Sequence, residues 1–209
     1  ISAALGFAEA AKQQKLGHKA VALIGDGSLT GGLAFEGLNN AGAARTDILV
    51  ILNDNNISID RNIGAIHEYL LNITTDPRYN KAKKHIWDKL GDGRFRKLIQ
   101  KMVVGTKSYL VRHSGGDLFE AMGFRYFGPI DGNDIEQVIR TLQKLKELGG
   151  PLILHTLTTK GKGYAPAEAN QTVWHAPGIF DPETGERVKS GKVVSRYQDV
   201  FGSVLLDLA

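Results

Sequence analysis

The chain has 209 residues, of which 42% are apolar and 23% charged, a composition typical of a folded domain with one sizeable core. It contains no cysteine, which excludes disulfides, thiolate metal sites and a cysteine nucleophile, so any metal must take oxygen or imidazole ligands. The sequence has neither an apolar run of about 18 residues nor the pattern of a signal peptide, and we therefore expect a soluble, cytoplasmic protein without a membrane partner.

The first half of the chain alternates between helical and strand patterns. Residues 1–14 have the spacing of an amphipathic helix, and the apolar runs at residues 19–25 and 47–53 are typical of buried parallel strands. Between these strands, the leucine spacing predicts a helix that begins near Leu29 and ends at residues 40–42. A strand, a helix and a second strand in this order favour a right-handed parallel crossover.

The same alternation returns after residue 122. GFRYFGPI predicts a third strand, residues 134–150 an amphipathic helix, and PLILHTLTT a fourth strand. Residues 159–197 are rich in Gly, Pro and Lys and predict an extended connection to a final helix. We therefore expect an α/β fold with an open, mostly parallel sheet flanked by helices. Because both terminal helices lack capping residues and residue 1 is Ile, we expect the chain to be a piece of a longer protein.

A basic block interrupts the alternation. Residues 78–112 hold eleven Lys or Arg against two Asp, a local charge of +9, inside a predicted helical insert at about residues 72–114. A solvated helical face is the simplest interpretation. A nucleic-acid-binding module is a second one, and a mobile cover that attracts a phosphorylated substrate is a third.

Two polar loops follow the first two predicted strands, GDGS at residues 25–28 and NDNN at residues 53–56. Because the carboxyl ends of parallel strands meet at one edge of a sheet, we expect the loops to share a ligand. Glycines allow close backbone approach, and the N-terminus of the following helix favours an anion. GDG alone is weak evidence, since it occurs again at residues 91–93, and the loop is neither a P-loop nor a GxGxxG motif.

Asp26 indicates that a cation accompanies this anion, because its carboxylate would otherwise repel a phosphate. Mg²⁺ binds carboxylate, amide and backbone carbonyl oxygens together with phosphates and water. Asn55 and the backbone carbonyl of Ile57 are well placed to complete such a set, although spacing alone does not select Asn55 from its polar neighbours.

GDG followed by Asn55 resembles the diphosphate and Mg²⁺ motif of thiamine-diphosphate enzymes. Among these, the chain is similar to the 1-deoxy-D-xylulose-5-phosphate synthase family. The resemblance spans essentially the whole chain and rests on five stretches in order: GDGSLTGGLAFEGLNNAG, ILNDNNISID, GFRYFGPIDG, TKGKGYAPAE and HAPGIFDPETG. It implies a homodimeric transferase that condenses pyruvate with glyceraldehyde 3-phosphate, releasing CO₂, in the first step of non-mevalonate isoprenoid biosynthesis, with a product also used in thiamine biosynthesis.

The resemblance also implies domain limits and residue roles. Residues 1–197 would form the diphosphate-binding domain, and residues 198–209 the start of the pyrimidine-binding domain. Asp26, Asn55 and the Ile57 carbonyl would bind Mg²⁺. The cofactor thiamine diphosphate would lie against Gly25, Asp26, Gly27, Ser28, Asn55, Lys160 and Tyr164, and His175 would face the substrate.

One departure and two alternatives remain. Asn133 stands where the family usually has His, so any role of that position is an open question. NDNNISID also resembles the transketolase loop, which leaves transketolase-type ketol transfer as an alternative, and the nucleic-acid-binding module is a less favoured one. The parts of the family on either side of these residues, including the glutamate that activates the cofactor ring, are not in the sequence, and we expect the 209-residue segment alone to be inactive.

Overall fold

The computed structural model describes residues 1–55, 64–75, 117–187 and 195–209. The basic block at residues 78–112 and the predicted metal ligand Ile57 lie outside these residues. No helix in the described ranges combines the length and the apolarity that crossing a membrane requires.

The described strands form one parallel sheet. Strand β1 is Ala20–Gly25, β2 is Ile48–Asp54, β3 is Arg125–Asp131 and β4 is Leu152–Leu157. Their order across the sheet is β1-β2-β4-β3, and every neighbouring pair is parallel. The predicted open parallel α/β sheet is thereby confirmed, with β2 and β4 in the middle and β1 and β3 at the edges.

Helices connect and cover these strands. The longer ones are α1 (Ser2–Gln13), α3 (Gly32–Ala44), α4 (Ala65–Thr75), α6 (Ile135–Leu145) and α8 (Tyr197–Leu208). Shorter ones are α2 (Asp26–Leu29), α5 (Asp117–Ala121), α7 (Ala165–Ala169) and a 3₁₀ turn at Val173–His175. The side chain of Asp134 caps α6 by accepting a hydrogen bond from the backbone N–H of Gln137 at 3.0 Å.

Apolar clusters lie on both faces of the sheet. The larger cluster joins α1 and α3 to the sheet and includes Leu38, Val50, Leu52 and Phe119. The smaller cluster lies under α6 and consists of Ile130, Leu145, Leu152 and Leu154. Central strands need apolar side chains on both faces, which explains why β2 and β4 read as continuous apolar runs in the sequence.

The structure corrects the sequence-based boundaries near the first motif. A single helical turn, α2, begins at Asp26 directly after β1, and the long helix begins only at Gly32 rather than near Leu29. That helix continues past residues 40–42 to Ala44, where Arg45 ends it in the left-handed conformation with φ 52°. Helix α4 was not predicted, and residues 159–187 contain α7 and the 3₁₀ turn rather than a wholly extended course.

Gly42 provides a test of the packing between α3 and the turn after α5. A Cβ at this position would lie 1.7 Å from the backbone carbonyl oxygen of Met122, so an alanine must displace that turn. We expect Gly42→Ala to lower the free energy of unfolding by about 1–3 kcal/mol.

Gly6→Ala is the matched control, because a Cβ at Gly6 in α1 meets nothing within 4 Å. It should raise the free energy of unfolding by about 0.5–1 kcal/mol, since glycine costs entropy inside a helix. Urea unfolding of both variants measures the difference, and equal stabilities would contradict this packing.

Candidate functional site

The carboxyl ends of the strands lie at one level of the sheet. Gly25 at the end of β1 pairs with Asn53 in β2, and Asn53 pairs with Thr156 in β4. A Cβ built on Gly25 would lie 4.0 Å from the backbone oxygen of Asn53. The loops after β1, β2 and β4 therefore emerge side by side, in the order that these strands have in the sheet.

The first loop turns sharply into α2. Asp26 is the first residue of this helical turn and is 5% exposed, whereas Ser28 lies on the surface. Thr30 closes the turn, since its hydroxyl donates to the carbonyl oxygen of Gly27 at 2.7 Å and its backbone N–H donates to the same oxygen at 3.3 Å. The result is a buried carboxylate at the carboxyl end of β1.

The first two residues of NDNN form the end of β2 rather than a loop, and they are hydrogen-bonded to the residue that follows β4. The side-chain oxygen of Asn53 accepts a hydrogen bond from the Thr158 hydroxyl at 2.9 Å, and the backbone oxygen of Asp54 accepts one from the Thr158 N–H at 2.9 Å. The Asp54 carboxylate lies 3.1 Å from the ring of His155. Asn53 and Asp54 are thus hydrogen-bonded to β4 and to the residue that follows it, and Asn55, directly after β2, is half-buried.

A buried polar chain crosses the sheet behind this loop. The hydroxyl of Tyr126 in β3 lies 2.6 Å from Nδ1 of His155 in β4, and Nε2 of His155 lies 3.1 Å from Oδ2 of Asp54 in β2. His155 is 0% exposed and Asp54 is 2% exposed. With an ionised Asp54 and a neutral imidazole, Nε2–H donates to the carboxylate and Nδ1 accepts from the tyrosine. This arrangement satisfies both ring nitrogens.

The hydrogen bonds among Tyr126, His155 and Asp54 were not predicted from the sequence. Their signal was a histidine and an aspartate inside or at the end of strands that are otherwise apolar, where an ionisable side chain needs a buried partner. The partners stand 29 and 101 residues away from His155, so their pairing depends on the strand order and not on local spacing.

The loop after β4 carries two of the predicted site residues. Nζ of Lys160 contacts Nδ1 of His175, and the backbone oxygen of Lys160 accepts a hydrogen bond from Nε2 of Gln171 at 3.1 Å. The backbone N–H of Thr159, the residue before Lys160, donates to Oδ1 of Asn133 at 2.8 Å. Lys160 and His175 are therefore brought together, beside the turn that follows β3.

Three aromatic rings pack the segment that carries His175. The ring centroid of Tyr164 lies 5.1 Å from that of Trp174 and 6.0 Å from that of Phe180, and Trp174 and Phe180 are 4.8 Å apart. The Tyr164 hydroxyl is buried next to Gly185 and Pro166 and has no hydrogen-bond partner among the described residues. The structure thus places Tyr164 in a packed cluster that holds the 3₁₀ turn containing His175.

We expect Tyr164→Phe to leave the free energy of unfolding unchanged, or to raise it by up to about 1 kcal/mol, because the lost hydroxyl makes no hydrogen bond there. Tyr126→Phe is the matched control, since it removes a hydroxyl that is bonded to His155 and should cost about 1 kcal/mol. Thermal unfolding compares the two, and a larger loss for Tyr164→Phe would show that its hydroxyl has a partner.

The donor set at this edge is small. Within the described ranges, no group of three or more His, Cys, Asp or Glu side chains is placed to hold a metal ion. Besides Asp54 and Asn53, which are bonded to His155 and Thr158, this edge holds the buried carboxylate of Asp26 after β1 and the amide of Asn55 after β2. Such a pair suits a cation that takes its remaining ligands from phosphates and water.

The fold is that of the transketolase class, the thiamine-diphosphate-binding fold. Transketolase from Campylobacter jejuni matches with a TM-score of 0.50 and 23% identity, over 81% of this chain and 21% of that one. The sequence model of the 1-deoxy-D-xylulose-5-phosphate synthase family matches residues 1–158. The chain belongs to the 1-deoxy-D-xylulose-5-phosphate synthase family.

Curated relatives agree with this assignment. The 1-deoxy-D-xylulose-5-phosphate synthase of Phocaeicola vulgatus is 50% identical, and that of Cytophaga hutchinsonii is 46% identical, each over 100% of this chain. In both cases the chain spans 34% of the relative's length. The predicted family is confirmed, and the chain corresponds to about a third of the proteins that it matches.

Proposed function

We propose that this chain is the diphosphate-binding part of a thiamine-diphosphate- and Mg²⁺-dependent transferase that condenses pyruvate with glyceraldehyde 3-phosphate to 1-deoxy-D-xylulose 5-phosphate and CO₂. The observation that carries the proposal is the buried carboxylate of Asp26, which stands at the carboxyl edge of the sheet next to the Asn55 loop in a chain of this family.

The residues at this edge fit the cofactor. Mg²⁺ prefers hard oxygen ligands in octahedral array and keeps several waters or phosphate oxygens, so one carboxylate and one amide suffice from the protein. A carboxylate that is 5% exposed is stabilised when a cation lies beside it. Gly25 ends β1 directly before Asp26, where a backbone without a side chain allows a phosphate to approach closely.

Each residue then has a separate task. Asp26, Asn55 and the backbone carbonyl of Ile57 would hold Mg²⁺. The backbone N–H groups of Gly27 and Ser28 would bind the diphosphate, which would lie against Gly25. When bound, thiamine diphosphate supplies an electron sink for the decarboxylation of pyruvate.

The loop after β4 would serve the same ligand from the other side. Lys160 would offset diphosphate charge, and His175, whose Nδ1 contacts Lys160, would present its other ring nitrogen towards the substrate. Tyr164 would take part mainly by fixing the loop, given its position between Trp174 and Phe180.

The remaining assignments concern the whole protein. We propose that residues 1–197 belong to the diphosphate-binding domain, with its insert at about residues 72–114, and that α8 opens the pyrimidine-binding domain. The full-length enzyme would act as a cytoplasmic homodimer without a nucleic-acid partner, in isoprenoid and thiamine biosynthesis. The 209-residue segment would be inactive alone.

A substrate comparison with the full-length protein tests the proposed reaction. The protein should release CO₂ from pyruvate only when glyceraldehyde 3-phosphate, Mg²⁺ and thiamine diphosphate are present, with equimolar formation of the deoxy sugar phosphate. Ketol transfer from xylulose 5-phosphate, with pyruvate left untouched, would instead establish the transketolase reaction.

A further inference from the structure

We propose that Asn133 is a positioning residue that holds Lys160 at the cofactor edge of the sheet, acting through the backbone of Thr159. This inference rests on the proposed function, because it assigns Lys160 to the diphosphate. The juxtaposition that carries it is the 2.8 Å hydrogen bond from the Thr159 N–H to Oδ1 of Asn133.

Asn133 is itself held on both sides. Its backbone N–H donates to Oδ1 of Asp131 at 2.8 Å, and the N–H of Asp131 donates to Oε1 of Gln137 in α6 at 2.9 Å. The N–H of Gly132 donates to the carbonyl oxygen of Leu157 at 2.7 Å. The turn is therefore hydrogen-bonded to α6 and to β4. From this turn the Asn133 side chain reaches the loop after β4.

Gly132 brings this turn close to β4. A Cβ on Gly132 would lie 2.6 Å from Cγ2 of Thr158 and 3.1 Å from Cβ of Thr156, so only glycine permits this approach. The short separation lets the two-carbon side chain of Asn133 reach the Thr159 amide. A longer or apolar side chain would not supply an acceptor at that place.

The bond holds the middle residue of a stretch of three hydrogen-bonded residues, 158–160. Thr158 is hydrogen-bonded to Asn53 and Asp54 at the end of β2, Thr159 to Asn133, and the carbonyl of Lys160 to Gln171. Three successive residues thus have partners on three different segments. These bonds position Lys160. The bond from Asn133 is made at Thr159, the residue directly before Lys160.

Hydrogen exchange on the full-length protein tests the bond without cofactor. In Asn133→Ala, the Thr159 amide should exchange at least about threefold faster, since a hydrogen bond of typical strength is lost. Asn133→Asp keeps an oxygen acceptor in the same position and should restore protection to within about twofold. Unchanged protection in Asn133→Ala would overturn the proposal.

Affinity for thiamine diphosphate, measured by fluorescence titration in the presence of Mg²⁺, tests the effect on the site. Asn133→Ala should bind about three- to tenfold more weakly than wild type. Gln143→Ala removes an exposed amide from α6 and is the control that should not change affinity. Faster exchange at Thr159 with unchanged affinity would reduce Asn133 to a structural residue and overturn the proposal. Wild-type protein that binds no cofactor would contradict the proposed function instead, while the exchange result would still report on the bond.

Discussion

Asp26→Ala in the full-length protein is expected to weaken Mg²⁺-dependent binding of thiamine diphosphate at least about 30-fold. The carboxylate is 5% exposed and directly follows Gly25, which pairs with Asn53 near the end of β2. Truncating one partner of a buried charge pair costs about 2–5 kcal/mol, which corresponds to a loss of about 30- to 5,000-fold in affinity. Titration calorimetry with and without Mg²⁺ measures the effect.

Asp92→Ala is the matched control, because Asp92 occupies the centre of the other GDG tripeptide in the chain. It should bind the cofactor as wild type does. Asp26→Asn keeps the shape and one oxygen but loses the charge, and should fall between Asp26→Ala and wild type. Full affinity in Asp26→Ala would remove this residue from the metal site.

The second large effect is expected for His155→Ala, in stability rather than in binding. The substitution removes the bond to the Asp54 carboxylate and the bond to Tyr126, in a place that is 0% exposed. A hydrogen bond to a charged group is worth about 1.5–3 kcal/mol, and the loss of the bond to the half-buried Tyr126 hydroxyl adds about 1 kcal/mol. We expect a loss of about 3 kcal/mol.

Native-state hydrogen exchange measures this loss as the opening free energy of the amides in β2 and β4. His155→Gln retains a side chain with donor and acceptor groups and should lose less. His18→Ala changes an exposed histidine before β1 and serves as the control, with an expected effect within about 0.5 kcal/mol. If the amides of β2 and β4 have the same opening free energy in His155→Ala and in His18→Ala, the hydrogen bonds of His155 contribute nothing to the stability of the sheet.

The strands and their parallel arrangement could be predicted because central strands of such a sheet carry uninterrupted apolar side chains. The runs in β2 and β4 are of this kind, and each became a strand at nearly the expected limits. The run in β1 also became a strand, but β1 stands at one side of the described sheet and leaves Val21 and Leu23 exposed. Helix starts were less predictable. Thr30 closes a separate turn at residues 26–29 through its bond to Gly27, and leucine spacing carries no information about such a break.

Some residues of the candidate site could likewise be predicted from the sequence, and others could not. Asp26 and Asn55 were found because each follows an apolar strand, and the ends of neighbouring parallel strands meet. Asn133 and His155 were not assigned roles, because their partners are distant in sequence: Thr159 follows β4, while Tyr126 and Asp54 belong to β3 and β2. These segments become neighbours only through the order β1-β2-β4-β3. A single sequence specifies alternation along each strand but not which strand lies next to which.

The most direct test of the account is a crystal structure of the full-length protein with Mg²⁺ and thiamine diphosphate. It should show the metal about 2.0–2.1 Å from a carboxylate oxygen of Asp26 and from the side-chain oxygen of Asn55, with diphosphate oxygens at the backbone N–H groups of Gly27 and Ser28. A metal and diphosphate bound away from the carboxyl ends of β1 and β2, with Asp26 and Asn55 both outside the coordination sphere, would contradict it.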